Sequence, residues 1–384
     1  MRARCFALPC AWFFCCIFSV AACHGSQDAP QPIAATSSAA TASAPLVTTS
    51  AAPSATSASP FEPEKVTGEA KAMGTHLAYA AYTTRTIDAA GVRRTFERAT
   101  AEIQRIESLM TTWRPDSDLS RVNDAAPSTA IKVAPETFDV VAEALHTSAI
   151  SEGTFDITFE TLHGLWKFDE DLDPHPPDAA RIKEKLPLVG YKHVKLDAAA
   201  RTIALDTAGT KISLGGIAKG YAVDRAAKLL GDAGIESFYV QAGGDLYARG
   251  KKPDGNDWSA GVRDPRGPDG SYFALLPLAD HAFSTAGDYE RSYITGGKRY
   301  HHIIDPRTGW PATASRSVTI WAPTAFVADA IDDAVFILGS KRGLELVESI
   351  EGVGAVIVDA KNNLWISKRL AGKLRIVKPP TEGL

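Results

Sequence analysis

The chain reads as an α+β protein, and three observations lead there. Helical periodicity is strong but confined to a few long segments, strand-like alternation gathers in others, and neither the regular alternation of a doubly wound sheet nor a short-period repeat is present. With 384 residues, 45% of them hydrophobic and 22% charged, there is apolar material for one large domain or two medium ones.

The N-terminus reads as a processing and tethering region. All five cysteines, Cys5, Cys10, Cys15, Cys16 and Cys23, fall there, so the rest of the chain can form no internal disulfide. Arg2 and Arg4 precede an apolar run through Phe18 and Val20, and Val20-Ala21-Ala22-Cys23 offers the small residues that a signal peptidase accepts. Residues 1–22 are therefore expected to be a lipoprotein signal peptide, with Cys23 lipidated as the first mature residue; an uncleaved membrane anchor is the alternative. Residues 23–62 then form a linker. From Gln27 to Pro60 it is almost wholly Ala, Ser, Thr and Pro with no Lys or Arg, a composition too poor in apolar groups to offset the entropy of ordering. The expected product is an exported lipoprotein held to a membrane by its lipid and facing the periplasm or extracytoplasmic space, with its folded body at 63–384. A formal charge of -4 at pH 7 gives no general attraction for nucleic acid, so an anionic ligand needs a local site.

Along the body, residues 72–83 alternate as a strand that opens with Met73-Gly74-Thr75. Val92, Phe96, Ala99, Ile103, Ile106 and Met110 recur at spacings of four and three, which predicts an amphipathic helix. Residues 116–123 read as polar turn chemistry, and Phe138, Val141 and Leu145 mark a helix after Pro135. Residues 153–168 read as loop, and the Asp- and Pro-rich stretch 169–178 as a surface excursion. A hairpin is expected over 191–206. Short strands are expected at 237–241, 246–250, 258–263, 272–276, 282–285, 317–321 and 353–358, with helices at 325–338 and 341–349.

Four groups of residues can carry chemistry. Lys211 to Ala226 begins like a strand end, turns through Gly215-Gly216 and enters a helix, so its amides and Lys219 suit an anion; plain turn chemistry is the alternative. It fits neither a Walker loop nor a strict GxGxxG. Asp329, Asp332 and Asp333 lie in the opening half of a helix, with Asp329 and Asp333 on one face at i and i+4; they suit Mg²⁺ or Ca²⁺, or simply complement the helix dipole. Tyr300 to Gly309 brings together His301, His302, Asp305 and Arg307, suited to a general base or a phosphate contact; with no Cys in the body and no HExxH spacing, zinc is disfavoured. Trp113, Phe155 and Trp166 are flat side chains beside turns, able to stack on a ring system or to fill the core.

Taken together these segments resemble the ApbE-type FAD:protein FMN transferase family. The matching stretches are Met73-Gly74-Thr75, Ser117 to Asn123, Phe155-Asp156-Ile157-Thr158 with Leu165-Trp166, Leu214 to Asp224, Gly243-Gly244-Asp245, Ser284 to Tyr289, His302 to Gly309 and Ala328 to Ala334. The resemblance implies a T-fold-related body with mixed and antiparallel sheets flanked by helices. It implies FAD as substrate and Mg²⁺ as cofactor. Met73, Trp113, Thr154, Phe155, Asp156, Ser213, Lys219 and Ile303 would line the flavin site, while the backbone of Gly216 with Asp329 and Asp333, and Asp332 close by, would hold the metal. His302 falls on the family's functionally important histidine. Two departures stand out: Ser213 where the family has Asp before Leu-Gly-Gly, and Asp333 where it has Thr.

The implied reaction moves FMN from FAD to a Ser/Thr hydroxyl of an acceptor protein and releases AMP, with His302 managing the hydroxyl proton and Asp329 essential for the metal. The same site with water as nucleophile would be an FAD pyrophosphatase; a non-catalytic flavin-binding lipoprotein is the reading from another class. No Asp-x-x-Ser/Thr-Gly-Ala-Ser/Thr acceptor motif occurs in this chain, so the recipient is expected to be a separate redox subunit at the same membrane.

Overall fold

A hairpin opens the body. Strand Lys65–Ala72 turns through Met73 and Gly74, both at positive φ, into strand Thr75–Tyr82. The single strand expected over 72–83 is thus corrected: its opening Met73-Gly74 is the turn itself. The computed structural model describes residues 61–168 and 171–383; the expected signal segment 1–22, Cys23 and the linker as far as residue 60 lie outside the described residues.

The hairpin forms one edge of an eight-stranded sheet. Its order is Lys65–Ala72, Thr75–Tyr82, Phe238–Ala242, Asp245–Arg249, His281–Gly287, Ser315–Ala322, Gly354–Asp359 and Leu364–Ile366, so strands lie across the sheet in the order in which they occur in the chain. Every ladder is antiparallel. The sheets expected to be mixed and antiparallel therefore have, among the described residues, only one parallel element, the isolated bridge of His163 with Trp166.

Six α-helices accompany it among the described residues: α1 (Ala89–Met110), α2 (Asp118–Asp124), α3 (Pro135–Ile150), α4 (Ala179–Lys185), α5 (Ala218–Asp232) and α6 (Ala325–Ser349). Asp88 starts α1 by accepting the Gly91 N–H at 2.7 Å, and Val92, Phe96, Ala99, Ile103 and Ile106 make its buried stripe. Gly339, at φ 74, breaks α6 where the sequence predicts two helices. Helices α1, α5 and α6 cover one face of the sheet, where Leu77, Tyr79 and Ala81 point, and Tyr79 stacks on Phe96 with ring centres 5.1 Å apart. Ala80, pointing the other way, joins Phe283, Trp321, Phe273 and Leu276 beneath a three-stranded sheet of Trp258–Arg263, Tyr272–Leu278 and Arg375–Ile376. Because both faces are covered, central strands read as nearly unbroken buried runs.

Three further expectations change. Residues 116–123 are helix α2 rather than turn, capped by Ser117, whose Oγ accepts the Ser120 N–H at 3.0 Å. Buried Asp118 holds that helix to Arg121, to the Ala134 N–H and to Thr137. Residues 153–168, expected as loop, contain the 3-10 helix Ile157–Leu162 started by Asp156, and α4 follows the Asp- and Pro-rich excursion. The strand expected at the start of Lys211 to Ala226 is absent. There the backbone N–H groups of Lys211 and Ile212 bond to the side chains of Thr161 and Asn123, at 3.0 and 2.8 Å, and Ser213 N–H to the Ile157 carbonyl at 2.9 Å. Side chains satisfy what a ladder otherwise would.

The C-terminal tail is tied down by Asp264, which accepts from Thr381 Oγ1 at 2.7 Å and from its N–H at 3.0 Å and pairs with Lys378 Nζ at 2.8 Å. Burial opposes the charge of this carboxylate, but Lys378 and Thr381 outweigh it and hold it down at about 2. A carboxyl whose folded pKa lies below its unfolded value stabilises the fold above the unfolded value, near 4, and loses that contribution as pH falls towards 2. The shift corresponds to about 2 kcal/mol at neutral pH. Asp264→Asn is expected to lower stability by about that amount at pH 7 and by much less at pH 2, measured by denaturant melts at both; an equal loss at the two values would rule out the charge as the cause.

Candidate active site

The site lies where α5, α6 and two central strands meet. The Gly215-Gly216 turn delivers the chain into α5, whose first turn carries Lys219 and Gly220. Gly220 touches α6 so closely that a Cβ there would sit 2.2 Å from the Ala325 carbonyl oxygen and 2.7 Å from Asp329 Cβ. One turn further on, Asp224 accepts the N–H groups of Ala325 and Phe326 at 2.8 and 2.9 Å, which caps α6 and fixes its start against α5. Burial pushes the Asp224 carboxyl up to about 6, the N–H donors opposing.

This arrangement places Asp329 beside Lys219. Asp329 Oδ2 accepts the Gly220 N–H at 2.8 Å, and Oδ1 meets Lys219 Nζ at 3.2 Å. Lys219 Nζ also lies 3.1 Å from Asp245 Oδ2 and 3.5 Å from the Gly215 carbonyl. Ser284, on strand His281–Gly287, bridges Asp245 and Asp332, with Oγ at 2.5 and 2.6 Å from their oxygens. Ligand oxygens of Asp245, Asp329 and Asp332 all lie within 4.8 Å of one another, and all three residues are buried. Asp333 approaches from the same helix: a Cβ added to Gly216 would lie 3.3 Å from Asp333 Oδ2 and 3.4 Å from the Phe155 ring. The position therefore keeps Gly216, Asp333 and Phe155 in one place.

The electrostatics follow from crowding. Burial, then the charge of Asp245, push Asp329 up to about 7 against the pull of Lys219. Burial pushes Asp333 up to about 6, again against Lys219. Asp332 is raised well above the usual carboxylate range by burial and by Asp333, Asp329 and Asp245. Lys219 is the counterpart: burial disfavours its charge, but Asp245, Asp329 and Asp332 outweigh burial and hold it firmly protonated. Four carboxyl groups around one ammonium leave a deficit of positive charge, and the donors are hard oxygens. That set fits a divalent cation such as Mg²⁺ or Ca²⁺.

The remaining expected residues surround this centre at different depths. His302 leaves the strand Lys298–His301 with its N–H on the Arg291 carbonyl at 3.0 Å. Burial, with His301, Arg291 and Lys219 adding positive charge, pushes its imidazole down to about 3, so the ring is neutral, and its Nδ1 has no partner among the described residues. Ile303 is buried beside it, its N–H on His301 Nδ1 at 3.3 Å. Thr154 Oγ1 donates to the Ser151 carbonyl at 2.9 Å and lies 3.4 Å from that of Ala334 in α6. Asp156 turns both oxygens inward, to Thr158 and to the Tyr191 N–H at 2.6 Å, so its carboxylate shapes the loop beneath Phe155. Ser213 Oγ accepts the Gly215 N–H at 3.3 Å and so braces the glycine turn. Met73 sits in the hairpin turn beside the Gly243-Gly244 turn that leads to Asp245; Gly243 N–H reaches the His76 carbonyl at 3.0 Å.

Trp113 stands apart from the acidic centre. It is 83% exposed, meets His163 edge-on at 6.1 Å and borders a cavity of about 380 Å³ lined also by Thr112, Ser120, Asn123, Glu160 and Lys211. An exposed indole on a cavity rim is available for stacking. Asp245 and Ser284 were not among the site residues expected from sequence. Both lie in stretches that carry the family resemblance, Gly243-Gly244-Asp245 and Ser284 to Tyr289, which is the sequence signal for them; their place in the site follows once strand Asp245–Arg249 lies beside His281–Gly287 under α6.

Fold and site together define a class: an α+β protein with a buried cluster of Asp245, Asp329 and Asp332 against Lys219 and a glycine turn. A family model, the ApbE family, matches residues 73–357. The chain belongs to the ApbE family. An FAD:protein FMN transferase of Klebsiella pneumoniae (strain 342) is 32% identical over 265 residues, covering 68% of this chain and 76% of its own. The solved structure of the ApbE protein of Thermotoga maritima superimposes with a TM-score of 0.73 at 32% identity, covering 81% of this chain and 99% of that one. The flavin transferase ApbE of Vibrio cholerae does so with a TM-score of 0.72 at 26% identity, covering 81% and 100%.

Proposed function

We propose that this protein is an FAD:protein FMN transferase that uses Mg²⁺. The observation that carries this reading, beside family membership, is the joining of Lys219 and the glycine turn to a buried cluster of Asp245, Asp329 and Asp332. Lysine and turn amides suit a pyrophosphate, and the cluster suits the cation that accompanies one.

In this reading Lys219 and the backbone at Gly215-Gly216 hold the pyrophosphate of FAD, while Phe155 and Trp113 offer faces to its rings. Gly216, Asp329 and Asp333, with Asp245 and Asp332 behind them, hold Mg²⁺, which supplies charge neutralisation at the pyrophosphate oxygens when bound. The acceptor's hydroxyl oxygen forms a bond to the FMN-side phosphorus, the bond from that phosphorus to the bridging oxygen breaks, and AMP leaves with the electron pair. His302 takes the hydroxyl proton on its unengaged Nδ1. Burial first, and positive neighbours after it, suppress its basicity in the protein alone; the anionic pyrophosphate of bound FAD opposes the second of these and raises it.

The acceptor is a separate protein presenting a Ser or Thr in a flavinylation motif, and the reading keeps the enzyme at a membrane through lipidated Cys23. The test incubates the full chain with FAD, Mg²⁺ and a peptide carrying the Asp-x-x-Ser/Thr-Gly-Ala-Ser/Thr motif. An FMN-sized mass gain on the peptide with AMP released is the expected result. Free FMN and AMP with an unmodified peptide would mean hydrolysis, and unchanged FAD would mean binding alone.

A further inference from the structure

Lys219 sits where a cation belongs. Its ammonium lies among three oxygens, Asp245 Oδ2 at 3.1 Å, Asp329 Oδ1 at 3.2 Å and the Gly215 carbonyl at 3.5 Å, from elements far apart in sequence. Asp329 is the shared member: its other oxygen is taken by the Gly220 N–H, so Oδ1, the atom facing Lys219, is the one left for a metal. A divalent ion bound there at its usual distance of about 2.0–2.6 Å would lie no more than about 6 Å from the ammonium, and two positive charges that close inside a buried site repel strongly. Nor is Lys219 walled in. Its side chain keeps 28% of its surface exposed, against 2 and 3% for Asp245 and Asp329, so it has an open side to leave by.

We infer that Lys219 is a tethered counter-ion of the metal-free site, which the incoming divalent cation displaces towards the mouth, where the ammonium becomes available to the phosphates of the substrate. Such a lysine has two consequences. It prevents buried carboxylates from repelling one another while the metal is away, and it makes metal binding and anion binding mutually favourable, because each completes what the other needs. The glycine turn supports the motion: Gly215 and Gly216 carry no side chain to obstruct the lysine's path across them, and the nearest atom to a Cβ at Gly215 would be Ser213 Oγ at 3.6 Å. Ser213 thereby borders the route without blocking it.

This inference rests on the metal site proposed above but not on the transfer reaction, and its test needs neither FAD nor an acceptor. Mg²⁺ alone is titrated calorimetrically into the full chain and into its Lys219→Gln and Lys219→Arg variants at one pH. Removing the competing charge is expected to tighten Mg²⁺ binding in Lys219→Gln about tenfold, while Lys219→Arg, which keeps the charge, stays at the wild-type affinity or below. In parallel, Lys219 of the unaltered protein is labelled with an amine-reactive reagent with and without Mg²⁺ and followed by mass spectrometry, which does not depend on any variant folding. Mg²⁺ is expected to speed labelling at Lys219 several-fold relative to the other lysines. Equal or weaker Mg²⁺ binding by a folded Lys219→Gln, or labelling that slows or stays unchanged on adding Mg²⁺, overturns the inference. Wild-type protein that takes up no Mg²⁺ overturns the metal site itself, a different and separately readable failure.

Discussion

Asp329→Asn is expected to lose roughly 10²–10³-fold or more in turnover while keeping its fold. Asn has nearly the same volume as Asp, and its carbonyl oxygen can still accept the Gly220 N–H that Asp329 Oδ2 accepts at 2.8 Å. What disappears is the charge. Asp329 is the carboxylate that meets Lys219 with one oxygen and the Gly220 N–H with the other, so no neighbour duplicates its position. The fold should tolerate the change because the substitution removes a buried charge and its repulsion with Asp245, the burial and then the charge that push Asp329 up to about 7. The measurement is initial rate against Mg²⁺ concentration, alongside thermal unfolding of the metal-free variant. A folded variant that retained about a tenth of wild-type turnover at saturating Mg²⁺ would falsify the assignment of Asp329 as an essential ligand.

Gly220→Ala is expected to lower stability by about 3 kcal/mol and to weaken Mg²⁺ binding at the same time. The added methyl would lie 2.2 Å from the Ala325 carbonyl oxygen and 2.7 Å from Asp329 Cβ, both set by helix backbone, so neither can swing aside. Relief requires α5 and α6 to separate. Separation lengthens the hydrogen bonds by which Asp224 caps α6 and the one by which Gly220 holds Asp329. Stability and metal affinity should therefore fall together, the first read from denaturant melts and the second by calorimetry. A variant within about 0.5 kcal/mol of wild type would mean that the helices meet less closely than described.

Much of this architecture is legible in the residues, for physical reasons that differ by element. Helix α1 announces itself because Val92, Phe96, Ala99, Ile103 and Ile106 must share one face, whereas the first half of α6 is buried on nearly every side, Asp329 and Asp332 included, and is legible through its long apolar run instead. Met73-Gly74 misleads because a non-glycine residue at positive φ gives no local sign of a turn, so the turn reads as the start of the second strand and the first, Lys65–Ala72, goes unread. Residues 211–213 mislead in the opposite direction: alternation suggests a ladder, but Thr161, Asn123 and Ile157 supply the partners from elsewhere. Asp118 is a polar residue whose capping and bracing role depends on Ala134 and Thr137, which only tertiary structure brings near.

The candidate site divides along the same line. Gly216, Lys219, Asp329, Asp332 and Asp333 lie in two short motifs that could be singled out directly, and the fold brings those motifs together. Asp245 and Ser284 could not be read that way. Apart from the family resemblance, each is an ordinary residue in an ordinary strand until the register of Asp245–Arg249 against His281–Gly287 sets them beneath α6. Asp156 shows the converse, a carboxylate within a telling motif whose oxygens are spent on Thr158 and Tyr191.

The order of strands in the central sheet bears on how such a protein can diversify. Each neighbouring pair follows directly in the chain or after a modest excursion, except one: between Thr75–Tyr82 and Phe238–Ala242 the chain leaves the sheet and returns only after residues 83–237. That long insertion brings Trp113, Phe155, Gly216 and Lys219, whereas the sheet and its last helix bring Asp245, Ser284 and Asp329, and the shorter excursion between His281–Gly287 and Ser315–Ala322 brings His302. Loop-closure cost rises by only about 0.6 kcal/mol for each doubling of length. The part of that insertion around Trp113 can thus lengthen, shorten or change sequence at little thermodynamic expense, while Asp245 and Ser284 stay locked to the ladders of the sheet and Asp329 to the helix packed on it.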